Sequence, residues 1–160
     1  MRAVIPLLLL LLSGCGFTLR HNQHYLGTKY PQVLLPPTGS HTLHQALHRA
    51  LLASHIEVLD SAPLDKVVPS LLVVNQDLTS LPLVYGPDAE LRRERLKMSV
   101  NLSLSDPQTR NFTLYTERDR QLNPRQHLGD NAEKIIIEQE MQADIIEQLL
   151  RFLASERASS

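Results

Sequence analysis

The chain is poor in the residues that build stacking platforms and cross-links. It has no tryptophan, and only four tyrosines and three phenylalanines among 160 residues. Readers of sugars and bases rely on such side chains, so that class of function has little to work with here. A single cysteine excludes an internal disulfide. Sixteen lysines and arginines against 17 aspartates and glutamates leave no basic excess, which argues against a nucleic-acid partner. No apolar run approaches the roughly 20 residues that span a bilayer. Internal repeats and low-complexity tracts are missing. So are Gly-x-Ser-x-Gly, His-Glu-x-x-His and any glycine-rich phosphate loop, and the acidic residues are scattered.

What is present begins at the N-terminus. Arg2 precedes Ala3 to Leu12, apolar throughout apart from Pro6. A stretch of that length behind a positive charge suits the hydrophobic part of a secretory signal peptide. A buried core helix is the other reading, but Pro6 would break it and no polar face exists. Leu12-Ser13-Gly14-Cys15 resembles the lipobox of bacterial lipoproteins. That resemblance implies cleavage before Cys15, leaving residues 1–14 as signal peptide, and a covalent lipid on Cys15 as S-diacylglycerol and N-acyl groups. A thiol is the strong nucleophile such chemistry needs, and several acyl chains hold a protein on a membrane essentially permanently. Gly16 in place of an aspartate resembles the outer-membrane-destined class. Residues 15–160 then form one domain with a short polar tail. The mature charge is 15 basic residues against 17 acidic ones, or −2.

Periodicity outlines an α+β fold. Gly16 to Arg20 alternates like a short strand, His21 to Lys29 reads as loop, and Gln32 to Leu35 is a short apolar run stopped by Pro36-Pro37. Ser40 has the character of an N-cap. It precedes a helix with Leu43, Ala46, Leu47, Ala50 and Leu51 on one face, ending near Ser54. Ile56 to Leu59 reads as strand, as does Ser70 to Leu78. Leu81 to Ala89, with two prolines and a glycine, reads as a connecting loop. Leu96, Met98, Val100, Leu102 and Leu104 alternate with polar residues, and Phe112 to Arg118 resumes the pattern after a turn at Asp106-Pro107. These two strands are expected to pair antiparallel. Asp130 and Glu133 have capping-box spacing before a final helix. Its stripe is Ile137, Met141, Ile145, Leu149 and Phe152, widened by Ile136, Ile146, Leu150 and Leu153. The sum is a mainly antiparallel sheet with two helices packed on one face.

Two clusters carry chemistry. His41, His44 and His48 recur at helical spacing, and His44 with His48 would suit a metal ion, but no third ligand is marked; the alternative is a solvated helix flank. Arg92, Arg93, Arg95 and Lys97 crowd one strand start. They read either as a solvated edge or as a contact for anionic groups such as lipid phosphates, which arginine holds bidentately.

Several stretches together resemble the LptE (RlpB) family of lipopolysaccharide-assembly lipoproteins. Cys15-Gly16-Phe17-Thr18-Leu19-Arg20 is similar to the mature N-terminus of that family. Gly86-Pro87-Asp88-Ala89-Glu90 is similar to its Gly-x-x-Ala-Glu. Asn131-Ala132-Glu133, Glu140-Met141 and Gln148-Leu149-Leu150-Arg151 are similar to its last helix. The resemblance implies a non-enzymatic plug of the LptD β-barrel at the periplasmic side of the outer membrane, anchored by its lipid. Such a plug assists barrel assembly and lipopolysaccharide insertion at the cell surface. No cofactor and no metal are implied. The region before Gly86, Leu83-Val84-Tyr85, lacks the basic residue some members carry, and Asp130 stands where some have lysine. Arg92, Arg93, Arg95 and Lys134 are therefore the expected lipopolysaccharide contacts. The alternatives are a lipoprotein scaffold of another envelope-assembly machine and a lipid-anchored enzyme.

Overall fold

The computed structural model describes residues 23–123 and 127–156. Cys15, the signal segment, the strand expected at Gly16 to Arg20 and the last four residues lie outside them. The elements run α1 (Gln23–Lys29), β1 (Gln32–Leu34), α2 (His41–Ala53), β2 (Glu57–Leu59), β3 (Ser70–Tyr85), β4 (Leu91–Asp106), β5 (Gln108–Gln121) and α3 (His127–Ser155). The strands form one sheet in the order β2-β1-β3-β4-β5. β3, β4 and β5 are antiparallel, whereas the short β1 runs parallel to both of its neighbours. The α+β class and the β4–β5 pairing are as the alternation predicts.

β4 shows why. Leu96, Met98, Val100, Leu102 and Leu104 are all at most 1% exposed, and their odd-numbered neighbours face away. Leu71 and Val73 of β3 and Phe112 and Leu114 of β5 join that apolar face. α2 covers it with Leu43, Leu47 and Leu51, and α3 with Met141, Ile145, Leu149 and Leu153. Phe112 and Phe152 stack with ring centroids 4.2 Å apart. Burying each large aliphatic side chain contributes about 1.5–3 kcal/mol, so this single-faced packing sets which side of the sheet carries helices.

Four sequence expectations are corrected. His21 to Lys29 contains a third helix, α1, rather than only loop. Two anchors about one turn apart fix it, since Leu26 and the following Tyr30 are both 2% exposed. Lys29 then donates to the carbonyls of Leu153 and Glu156 at the end of α3. A helix this short is unstable alone and exists through those tertiary contacts. Second, the stretch from Leu81 is strand through Tyr85, not loop. Pro82 has no N–H to give, but beyond Ser70 β3 is an edge strand in the described sheet, and the register shifts between Pro82 and Val84. Edges and bulges are where strands tolerate proline. Third, α3 starts at His127, so Asp130 lies in its first turn and not at its cap. The spacing nevertheless marked the start of the helix to within one turn. Fourth, Ile136 is 56% exposed and does not widen the buried stripe. Ser40 precedes α2 as expected, but its hydroxyl pairs with the Thr42 hydroxyl at 2.8 Å and makes no side-chain cap.

Candidate functional site: the distal hairpin and its arginines

β3 and β4 outrun the core. Each has 16 residues, which is about 50 Å of strand. Their far ends meet in the turn Gly86-Pro87-Asp88-Ala89-Glu90, closed by bonds from Gly86 N–H to the Glu90 carbonyl (2.8 Å) and from Ala89 N–H to the Gly86 carbonyl (3.1 Å). Ala89 takes a left-handed φ of 58°. A Cβ on Gly86 would stand 2.7 Å from Arg92 Nε, so any other residue there would push the Arg92 side chain aside. There Arg92 pairs with Glu90 (3.2 Å) and Asp88 (3.7 Å).

Alternation separates the next charges. Arg93 and Arg95 share Asp119, at 2.9 and 2.6 Å, on the face that carries no helix. Lys97 approaches Glu117 (3.8 Å) and lies 5.1 Å over the Tyr115 ring. The guanidinium of Arg95 holds the Asp119 carboxyl below its usual range, and Asp119 in turn pushes Arg95 up. Glu94 points to the helix side. It is 7% exposed, accepts from Ser80 and pairs with the equally buried Arg120. Burial alone would raise the Glu94 pKa. The Ser80 hydroxyl and Arg120 outweigh it, with help from Lys134, so the net shift is downward. Lys134 is on α3, 3.9 Å from Glu138.

The structure therefore brings Arg93 and Arg95 together and sets Arg92 at the turn and Lys134 across the sheet. Each of the four already faces a carboxylate. The partners Glu117, Asp119 and Arg120 were missed. Their signal was present in Glu117-Arg118-Asp119-Arg120, a β5 stretch charged at every position that lies opposite Glu94 to Lys97 in the β4–β5 register. Around these charges Leu81, Val84 and Tyr85 are 59%, 47% and 60% exposed.

The histidines behave differently. His41, His44 and His48 line an open groove of about 700 Å³ with Pro37, Gln45, Arg49 and Asp60. His44 Nε2 lies 3.3 Å from the Leu35 carbonyl and His41 Nε2 3.2 Å from the Gln45 amide. Among the described residues no three metal-binding side chains converge.

A family model described as lipopolysaccharide-assembly, LptE, matches residues 30–153. The chain belongs to the LptE family. Its members are non-enzymatic lipopolysaccharide-assembly lipoproteins associated with the outer membrane. The fold agrees with three solved structures. A rare lipoprotein B from Shewanella oneidensis superposes with a TM-score of 0.68 at 22% identity, covering 78% of this chain and 94% of that one. A minor lipoprotein from Acinetobacter baumannii gives 0.65 at 20% identity, covering 80% and 93%. Lipoprotein B from Nitrosomonas europaea gives 0.64 at 19%, covering 78% and 82%. In this LptE-family chain the Gly86–Glu90 motif is the tip of the long hairpin, and no described helix is long and apolar enough to cross a membrane.

Proposed function

We propose that this chain is an outer-membrane lipoprotein, cut after residue 14 and acylated on Cys15, whose residues 15–160 plug the LptD β-barrel from the periplasmic side. In this reading it assists assembly of that barrel and insertion of lipopolysaccharide at the cell surface. Family membership carries the assembly role. The observation that supports a plug is the bare face of the sheet. Ser99, Asn101 and Ser103 point away from both long helices, and the Thr113 hydroxyl donates to the Asn101 side-chain oxygen across the strands. Barrel interiors are polar and wet, and a hydrogen-bonding face suits them.

Photocrosslinkers placed singly along Lys97–Ser105 test this in cells. Positions 99, 101 and 103 trap a large β-barrel partner, and positions 100 and 102, buried under the helices, do not. No trapped barrel at any position refutes the plug and favours a scaffold in another envelope machine. Arg92, Arg93, Arg95 and Lys134 are assigned to lipopolysaccharide phosphates. Their present carboxylate partners make that binding an exchange of ion pairs, with the exposed Leu81, Val84 and Tyr85 available to acyl chains. Unchanged lipopolysaccharide binding after neutralising all four removes the assignment.

A further inference from the structure

Two apolar side chains stand almost wholly in solvent on one loop. Leu64 and Val67, between β2 and β3, are 102% and 94% exposed. They belong neither to the bare sheet face nor to the hairpin tip. The loop is not loose: Leu34 N–H donates to the Pro69 carbonyl at 2.8 Å, and Lys66 Nζ donates to Gln32 Oε1 at 3.0 Å. Gln32 is three residues beyond α1. α1 is itself seated, because Gly27 packs on the backbone of His55 and Lys29 holds the end of α3. The loop is thus braced on β1, the strand that follows α1, and α1 is the first element after Cys15 among the described residues.

That distance is short. Cys15 precedes Gln23 by eight residues, a contour of at most about 28 Å. We propose that residues 60–69 form a membrane-contacting loop that places Leu64 and Val67 in the interfacial layer of the bilayer holding the Cys15 lipid. The inference rests on the acylation of Cys15. Two side chains cannot make a stable protein interface, which buries about 800 Å² per partner. Beside a tethered surface they need not, because the second contact is then intramolecular and a weak one suffices. Asp60 and Asp65 outnumber Lys66 and leave the loop without net positive charge, so apolar insertion rather than attraction to anionic headgroups drives it. The consequence is a body held at two points, with the hairpin tip, about 50 Å along β3 from Ser70, kept off the bilayer.

The absence of tryptophan supplies a clean probe. Leu64→Trp, Val67→Trp and, as control, Tyr85→Trp are each made in the full acylated chain and reconstituted on phosphatidylcholine vesicles with brominated acyl chains. Flotation with the vesicles is measured first. The expected result is emission shifted to shorter wavelength and quenched by bromine at 64 and 67, with neither change at 85. A chain that floats but shows water-like, unquenched emission at 64 and 67, or equal quenching at 85, overturns the loop contact and leaves the anchor intact. A chain that does not float overturns the anchor and this inference together. A photocrosslinker at 64 that traps a protein instead of lipid in cells also overturns it.

Discussion

The two ends of the sheet are built on different physics. Near the β4–β5 turn, Leu71, Val73, Val100, Leu102 and Leu104 meet Leu43, Leu47, Leu149 and Leu153 in an apolar core. Toward the β3–β4 turn the same strands carry Ser80, Glu94, Arg118 and Arg120 on the helix side. Arg118 pairs there with Asp144 of α3, and Glu94 with Arg120. α3 shows the same division. Met141, Ile145, Ile146, Leu149 and Leu153 are buried, whereas none of residues 131–140 is. One end is held by area removed from water, the other by paired charges. An apolar core does not care about pH, but a buried ion pair does, and its members cannot be lost one at a time.

The largest expected effect separates those mechanisms. Arg120→Met leaves the buried Glu94 without its countercharge and should cost about 3–5 kcal/mol in denaturant unfolding. Replacing both Glu94 and Arg120 by leucine should recover most of that, because well-packed apolar residues often match a buried pair. A double variant as damaged as the single one would erase the distinction between the two ends. Next, Leu102→Ala in the apolar end should cost about 2–5 kcal/mol, at any pH where the chain is folded.

Acid sharpens the contrast. The folded pKa of Glu94 lies below its ordinary value of 4.5, so its contribution is complete above that value and fades as pH falls through the folded one. Unfolding midpoints measured from pH 6 to pH 3 should fall for the native chain more steeply than for Glu94→Gln. Parallel curves would remove Glu94 from the acid response. The smallest structural effect belongs to Asp119→Asn. Its pairs with Arg93 and Arg95 are exposed, and such pairs add little to stability. The unfolding midpoint should stay put while lipopolysaccharide binding strengthens, since Arg93 and Arg95 both lose Asp119 and Arg95 keeps only the longer pair with Glu117 at 3.6 Å. Weaker binding would sink the proposed exchange of ion pairs.

Much of the fold was legible because it obeys local periods. The alternation from Leu96 to Leu104 and the stripes Leu43–Leu47–Leu51 and Met141–Ile145–Leu149 need only the pitch of a strand or helix to be read. The arginine-rich stretch was legible too, as composition. Its partners were not, because Glu94 and Arg120 lie 26 residues apart and meet only through the β4–β5 register. α1 escaped notice since two buried anchors, Leu26 and Tyr30, make no pattern among polar neighbours.

By itself the sequence determined the class of the fold, the buried faces of β4, α2 and α3, and the position of the one reactive sulfur. Those follow from short-range periodicity and from single residues. Only the tertiary structure decided that β3 continues through Pro82, that β1 lies parallel between β2 and β3, and which carboxylate each arginine faces. Such features depend on register and on distant contacts, and no local stretch of chain contains them.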